Sequence, residues 1–338
     1  MTSEAVSSPD AGRSASSRQQ QRWLPFIEKY ALVGLLVVVI VLFSLLPESR
    51  EVFPTTRNLQ ILLANQSVLL VTALATMIPL LTHQYDLSTG NMVTLSMVAI
   101  ASAMADHGVP AIIAPLIGIA AGVLVGLFNG WLSAYVRVNS LIATLGVATA
   151  ISGVLMGYTD GKSIVTGLPK IITDFGTAKP LGIPLVFISA LAVATVLGYL
   201  LRFVPIGRRL IAVGANAEAA RLVGINVRRM VLLSFAAAGF VAGIAGALQL
   251  AQTGAANPTL GGSLTLPALA AVFLGATTIR PGTYNIPGTI IAVLFLGALT
   301  SGLALAGLPD WVNTIVNGGA LVAGVAFSAV VSNQRSRR

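Results

Sequence analysis

Apolar runs about twenty residues long, separated by short polar stretches, dominate this chain. They fall at about 27–47, 61–82, 90–106, 110–136, 139–157, 183–203, 230–252, 264–279, 286–306 and 311–331. A helix crossing the hydrocarbon layer needs roughly 20 such residues. The pattern therefore predicts an all-α polytopic membrane protein with about ten transmembrane helices. The runs 90–106 and 264–279 sit near the lower limit, so short or broken helices are expected there. Residues 1-26 are Ser-, Gln- and Ala-rich and read as a disordered tail. Residues 27-332 form the transmembrane domain, and residues 333-338 a basic tail.

Charge changes the picture by giving an orientation. The chain carries 20 Lys and Arg against 11 Asp and Glu, a net charge of +9. In a soluble protein that excess would point to nucleic acid. With ten spans and the N-terminus inside, about three-quarters of the basic residues fall on the inner loops, the bias of a cytoplasmic face. Both termini are accordingly predicted to be cytoplasmic, and no nucleic-acid partner is expected. Composition agrees: 55% of residues are hydrophobic and 9% charged, with mean hydropathy +0.87. A soluble domain carries about 25% charged residues, so a soluble enzyme is excluded. The absence of cysteine excludes disulfides and thiol catalysis.

Small residues recur at helical spacing. Gly122, Gly126 and Gly130 repeat at every fourth position, as do Gly239 and Gly243. This spacing lets backbones approach closely in lipid. It predicts packing inside the bundle, with a subunit interface as the alternative.

Candidate chemistry is sparse. Gly161-Lys162-Ser163 ends like a phosphate loop, but the glycine required five positions earlier is Met156, and the preceding segment is an apolar helix rather than a strand. His83 and His107 lie in loops at opposite faces, so no metal site or catalytic cluster is expected. Amides inside apolar runs need partners or a cavity. Asn65, Gln66, Asn91, Asn129 and Gln249 are thus candidates for a neutral solute pathway, with helix-to-helix hydrogen bonding as the alternative. Asp86 and Ser88 stand where a short helix begins, which suits a structural helix cap; proton coupling is the sharper alternative.

Loop 204-229 is long and basic, with a helical pattern of its own. Asn216 can cap a helix over Ala217–Val223 and Gly224 can end it. Glu218 near its start and Arg221 near its end suit the helix dipole. A helix only two turns long is marginal in water and needs something to dock against.

The stretch from Gly207 to Asn226, GRRLIAVGANAEAARLVGIN, resembles the signature of the ribose-type sugar ABC transporter permeases, in the same superfamily as the branched-chain amino-acid permeases. Asp86-Leu87-Ser88-Thr89-Gly90, Ile142-Ala143-Thr144-Leu145-Gly146, the segment Ala270 to Thr277 and Gly288-Thr289-Ile290-Ile291 resemble further family motifs, in the family's order. His83, Gln84 and Tyr85 depart from the glycines usual before Asp-Leu-Ser. The resemblance implies a multi-pass permease in the bacterial inner membrane, without enzyme activity or a cofactor of its own. ATP and Mg would be bound by a separate cytoplasmic ABC ATPase. The other implied partners are a second permease subunit, identical or not, and an extracytoplasmic solute-binding protein delivering a monosaccharide or related polyol. It also implies that Arg208, Arg209, Asn216, Ala217, Glu218, Ala219, Ala220, Arg221, Leu222 and Gly224 form or frame the ATPase contact, with the short helix as coupling helix. A branched-chain amino-acid or signalling-molecule permease and a proton-coupled carrier using Asp86 and His83 are the alternative functions.

Overall fold

A computed structural model describes the backbone of residues 15–336 and the side chains of 29–309 and 311–326. Residues 1–14 and 337–338 lie outside the described residues, and with them parts of both expected tails. The described chain is helical: α1 (Ala15–Leu45), α2 (Thr56–Leu80), α3 (Thr89–Ala105), α4 (Ala114–Trp131), α5 (Ser140–Thr159), α6 (Lys170–Thr177), α7 (Leu185–Phe203), α8 (Pro205–Ala215), α9 (Ala217–Leu222), α10 (Val227–Thr253), α11 (Gly261–Gly275), α12 (Ile286–Leu305) and α13 (Asp310–Ser336). Among the described residues, six helices are long and apolar enough to cross a membrane: α2, α4 with its continuation to Val136, α5, α7, α10 and α12. The apolar stretches Lys29–Leu45, Thr89–Ala105, Gly261–Gly275 and Trp311–Ala326 are shorter. The two short runs are continuous helices; Pro267 lies within α11 without breaking it.

The first helix reaches back past residue 27. α1 starts at Ala15, inside the predicted tail, because Gln19, Gln20, Gln21 and Arg22 are good helix formers that extend the apolar run backwards. At the other end α13 continues through Asn333 to Ser336. α6 and α8 were not expected. Both are short and amphipathic, so the search for long apolar runs passes over them.

α2 is the central element, with every residue from Leu70 to Leu80 buried. α10, α3, α11, α12 and α7 surround it. The tightest pair is α4 with α10. A Cβ on Gly122 would overlap the carbonyl oxygen of Gly239, and one on Gly126 that of Phe235. One on Gly243 would lie 2.6 Å from the Cα of Ile119, and one on Gly130 2.9 Å from the Cα of Leu232. The glycine stripes therefore join two helices of the same chain. This near-backbone contact gains dispersion energy where lipid offers no hydrophobic drive.

The helix ends form two sets. One end carries the loops 81–88, 137–139, 204–226 and 276–285; Thr82 Oγ1 meets Ser234 Oγ there at 3.3 Å. The far end carries 46–55, 106–113, 160–184, 254–260 and 306–309; the Gln60 amide donates to Gly182 O there at 3.0 Å, and Ile164 pairs with Ala256. Gly161-Lys162-Ser163 belongs to this end, next to that pairing and remote from α9.

Candidate functional site: a surface hairpin, a buried polar knot and an outer cleft

The hairpin is built from α8 and α9. Pro205 opens α8 at a position where its missing N–H costs nothing. Gly207 and Gly214 let α8 lie against the bundle: a Cβ on Gly214 would overlap Leu81 O, at the end of α2. Asn216 caps α9, its Oδ1 accepting from the N–H of Glu218 and of Ala219, both at 3.0 Å. Gly224 ends the turn with φ +85°, a conformation that costs glycine little. Arg208, Arg209, Asn216, Ala217, Glu218, Ala219, Arg221, Leu222 and Gly224 are all exposed. Ala220 is 4% exposed and anchors α9 to the bundle. Leu222 and Val223 are 89% and 77% exposed, an apolar tip that the described residues leave uncovered.

Behind the hairpin lies the polar knot around Asp86. Its Oδ1 accepts from the Ser88 N–H at 2.9 Å and from the Ser88 hydroxyl at 2.6 Å. The Asn129 amide of α4 donates to Ser88 Oγ at 2.8 Å. Leu87 N–H donates to Thr144 Oγ1 at 3.0 Å, and Tyr85 N–H to Ser140 Oγ at 3.1 Å. The loop 81–88 thus ties α4 and α5 together at the α9 end. Asp86 closes a turn onto Ser88, and Ser88 stands at the start of α3 without a side-chain bond to its first turn. Asp86 is completely buried; burial lifts its carboxyl to about 6 although the Ser88 hydrogen bonds pull it down. His83 is exposed.

The five pathway amides part company. Asn91 and Asn129 are both buried, and their amides bond to neighbouring segments. Asn91 Nδ2 donates to Ala148 O at 2.7 Å and Ser152 Oγ at 2.6 Å, pinning α3 to α5. Gln249 is half-buried on α10 and is not among the described residues lining the cleft of Asn65 and Gln66. Asn65 and Gln66 line a cleft of about 640 Å³ at the far end. Asn65 Oδ1 accepts from the Gln252 amide at 2.9 Å, while Gln66 Oε1 is buried without a partner. Sequence reasoning missed the rest of this lining. Asn58, Thr300, Ser301 and Asn313 come from α2, α12 and α13, and Asn313 Oδ1 is also buried without a partner. Polar residues inside the last two apolar runs were the available signal. Arg57 is the one charged residue lining the cleft among the described residues. Such a wall offers hydrogen bonds in both senses to a neutral, hydroxylated molecule.

The family described as branched-chain amino acid transport system / permease component matches residues 58–325, which includes the hairpin, the knot and most of the cleft. The chain belongs to that family. It is 34% identical over 279 residues to the ribose import permease protein RbsC of Escherichia coli K12, covering 80% of this chain and 83% of that one. It is 29% identical to the D-allose transport system permease protein AlsC of the same organism, over 82% of this chain and 84% of that one. It is 33% identical to the L-arabinose ABC transporter permease protein AraH of Azospirillum brasilense, over 76% of each. With its apolar helices, membership makes the chain a multi-pass membrane protein.

Proposed function

We propose that this chain is the membrane-spanning permease of an ATP-binding-cassette importer for a monosaccharide or related polyol. It crosses the inner membrane ten times with both termini in the cytoplasm, α9 on the cytoplasmic side and the outer cleft on the other. A solute-binding protein delivers the solute to the outer side. A separate cytoplasmic ATPase binds and hydrolyses ATP with Mg, and a second permease subunit completes the pathway. The observation that carries this reading is α9: a capped, anchored helix whose apolar tip, Leu222 and Val223, is left bare. Isolated two-turn helices are marginal, so this one is built to be held by another protein.

The outer cleft favours a sugar over an amino acid. A zwitterion needs a partner for each charge, whereas the polar part of the lining is amide and hydroxyl, with Arg57 the one charged residue among the described residues. The relatives named for ribose, allose and arabinose support the same solute class. A proton-coupled carrier built on Asp86 and His83 has less support: the carboxylate is sealed in the knot and its hydrogen bonds run to Ser88.

The test is the double variant Leu222→Glu/Val223→Glu, co-expressed with the partner ATPase. The reading expects a folded permease that no longer co-purifies with the ATPase. An unchanged complex with full ATP-driven uptake would contradict it.

A further inference from the structure

Beside α9 lies a second cleft, of about 870 Å³, which shares Arg221 and Gly224 with the expected ATPase contact and takes the rest of its lining from elsewhere. Three arginines line it from three places: Arg137 after α4, Arg221 on α9 and Arg228 in the first turn of α10. Gln84, Asn226 and the hydroxyl of Ser133 complete its polar wall; Ser133 Oγ is buried and without a partner. Among the described residues, no carboxylate lines it. Arg137 is placed by the end of α4, which widens into a π turn over Leu132–Val136 and stops with Arg137 left-handed at φ 68°. Val227 and Arg228 sit at the start of the 27-residue α10. The Asn226 side chain caps Arg229 N–H, so the N–H groups of Val227 and Arg228 have no intrahelical acceptor.

Three guanidiniums, the positive end of a long helix and an unpartnered hydroxyl exceed what one carboxylate can satisfy. They match a phosphate, which accepts forked hydrogen bonds from several arginines at once and suits a helix N-terminus. We infer that this cleft binds a phosphate-bearing anion that bridges Arg221 and Arg228, on the hairpin side, to Arg137, at the end of α4. The bound anion fastens α9 to the bundle and so governs how far the hairpin moves. Two sources share that chemistry, an anionic lipid headgroup and a soluble phosphorylated molecule.

The experiment uses the full-length permease in phosphatidylcholine nanodiscs. Radiolabelled pyrophosphate serves as the soluble probe, and discs containing phosphatidylglycerol as the lipid probe, read by the melting temperature. One or both probes should act on the wild type. Arg137→Gln/Arg228→Gln should weaken the effective probe by tenfold or more, and Arg137→Lys/Arg228→Lys should retain part of the effect. Pyrophosphate binding alone identifies a soluble ligand; stabilisation by phosphatidylglycerol alone identifies a lipid. Each variant's melting in probe-free discs controls for folding. Absence of any effect in the wild type overturns the inference, as does an effect undiminished in the glutamine variant. So does loss of ATPase association in that variant while neither probe acts on the wild type, since the cleft would then be a protein-docking site.

Discussion

Gly122 and Gly239 meet backbone to backbone: a Cβ on either would overlap the carbonyl oxygen of the other. This contact fixes α4 against α10, and those helices carry the two ends of the apparatus beside α9. α4 leads to Asn129 and Arg137, and α10 begins directly after the hairpin.

Gly122→Ala or Gly239→Ala should therefore force the two helices apart. Overpacking of this kind costs about 1–3 kcal/mol, read as a lower melting temperature in detergent. Gly146→Ala and Gly153→Ala on α5 are the controls. Nothing lies within 4 Å of a Cβ at either position, so these variants should melt no lower than the parent; better helix propensity favours them.

Asn216→Ala should destabilise α9 selectively. The lost cap is worth about 1 kcal/mol, and both N–H groups it satisfies lie in the first turn of that helix. Global melting should hardly move while ATPase stimulation falls several-fold. Asn216→Asp should restore most of it, since Asp caps equally well.

The Asp86 knot predicts a pH dependence. Its folded pKa, about 6, lies above the ordinary 3.8, so the folded state holds the proton more tightly than the unfolded one. Its contribution is complete below about pH 4 and is lost as pH rises through about 6, some 3 kcal/mol at most from a shift of this size. Melting curves between pH 4 and pH 8 should show the decline, and Asp86→Asn should flatten it. Asp86→Ala should be worse at every pH, because the buried N–H and hydroxyl of Ser88 lose their acceptor.

Gln66→Leu tests the outer cleft. Gln66 Oε1 has no partner, so removing it relieves an unmet hydrogen bond and should leave melting unchanged or slightly raised. Sugar uptake should fall about tenfold, chiefly through weaker solute binding, a loss of roughly 1.4 kcal/mol. Ser301→Ala should lower uptake as well, but with a slightly lower melting temperature, since it removes the hydrogen bond to Asn58 Oδ1 at 3.3 Å.

The sequence made the hairpin's cap legible because Asn216, Glu218 and Gly224 are local signals that need no knowledge of neighbours. The α4 and α10 glycines were legible as a pair of stripes for the same reason, though not that each stripe packs on the other. Asn91 and Asn129 could not be told from Asn65 and Gln66. All four are amides in apolar runs, and only the packing shows that the first two meet Ser152 and Ser88 while the others face a cleft. Thr300, Ser301 and Asn313 join that cleft from α12 and α13, far along the chain from the α2 amides they face, a convergence no local pattern records.

The central claim is that α9 is the grip of an external motor. Its most direct test is uphill sugar transport into liposomes by the reconstituted permease, with and without the partner ATPase and solute-binding protein. Accumulation is expected only with both partners and ATP, and none from a proton or sodium gradient applied to the permease alone. Accumulation driven by such a gradient, without the ATPase, would contradict that claim.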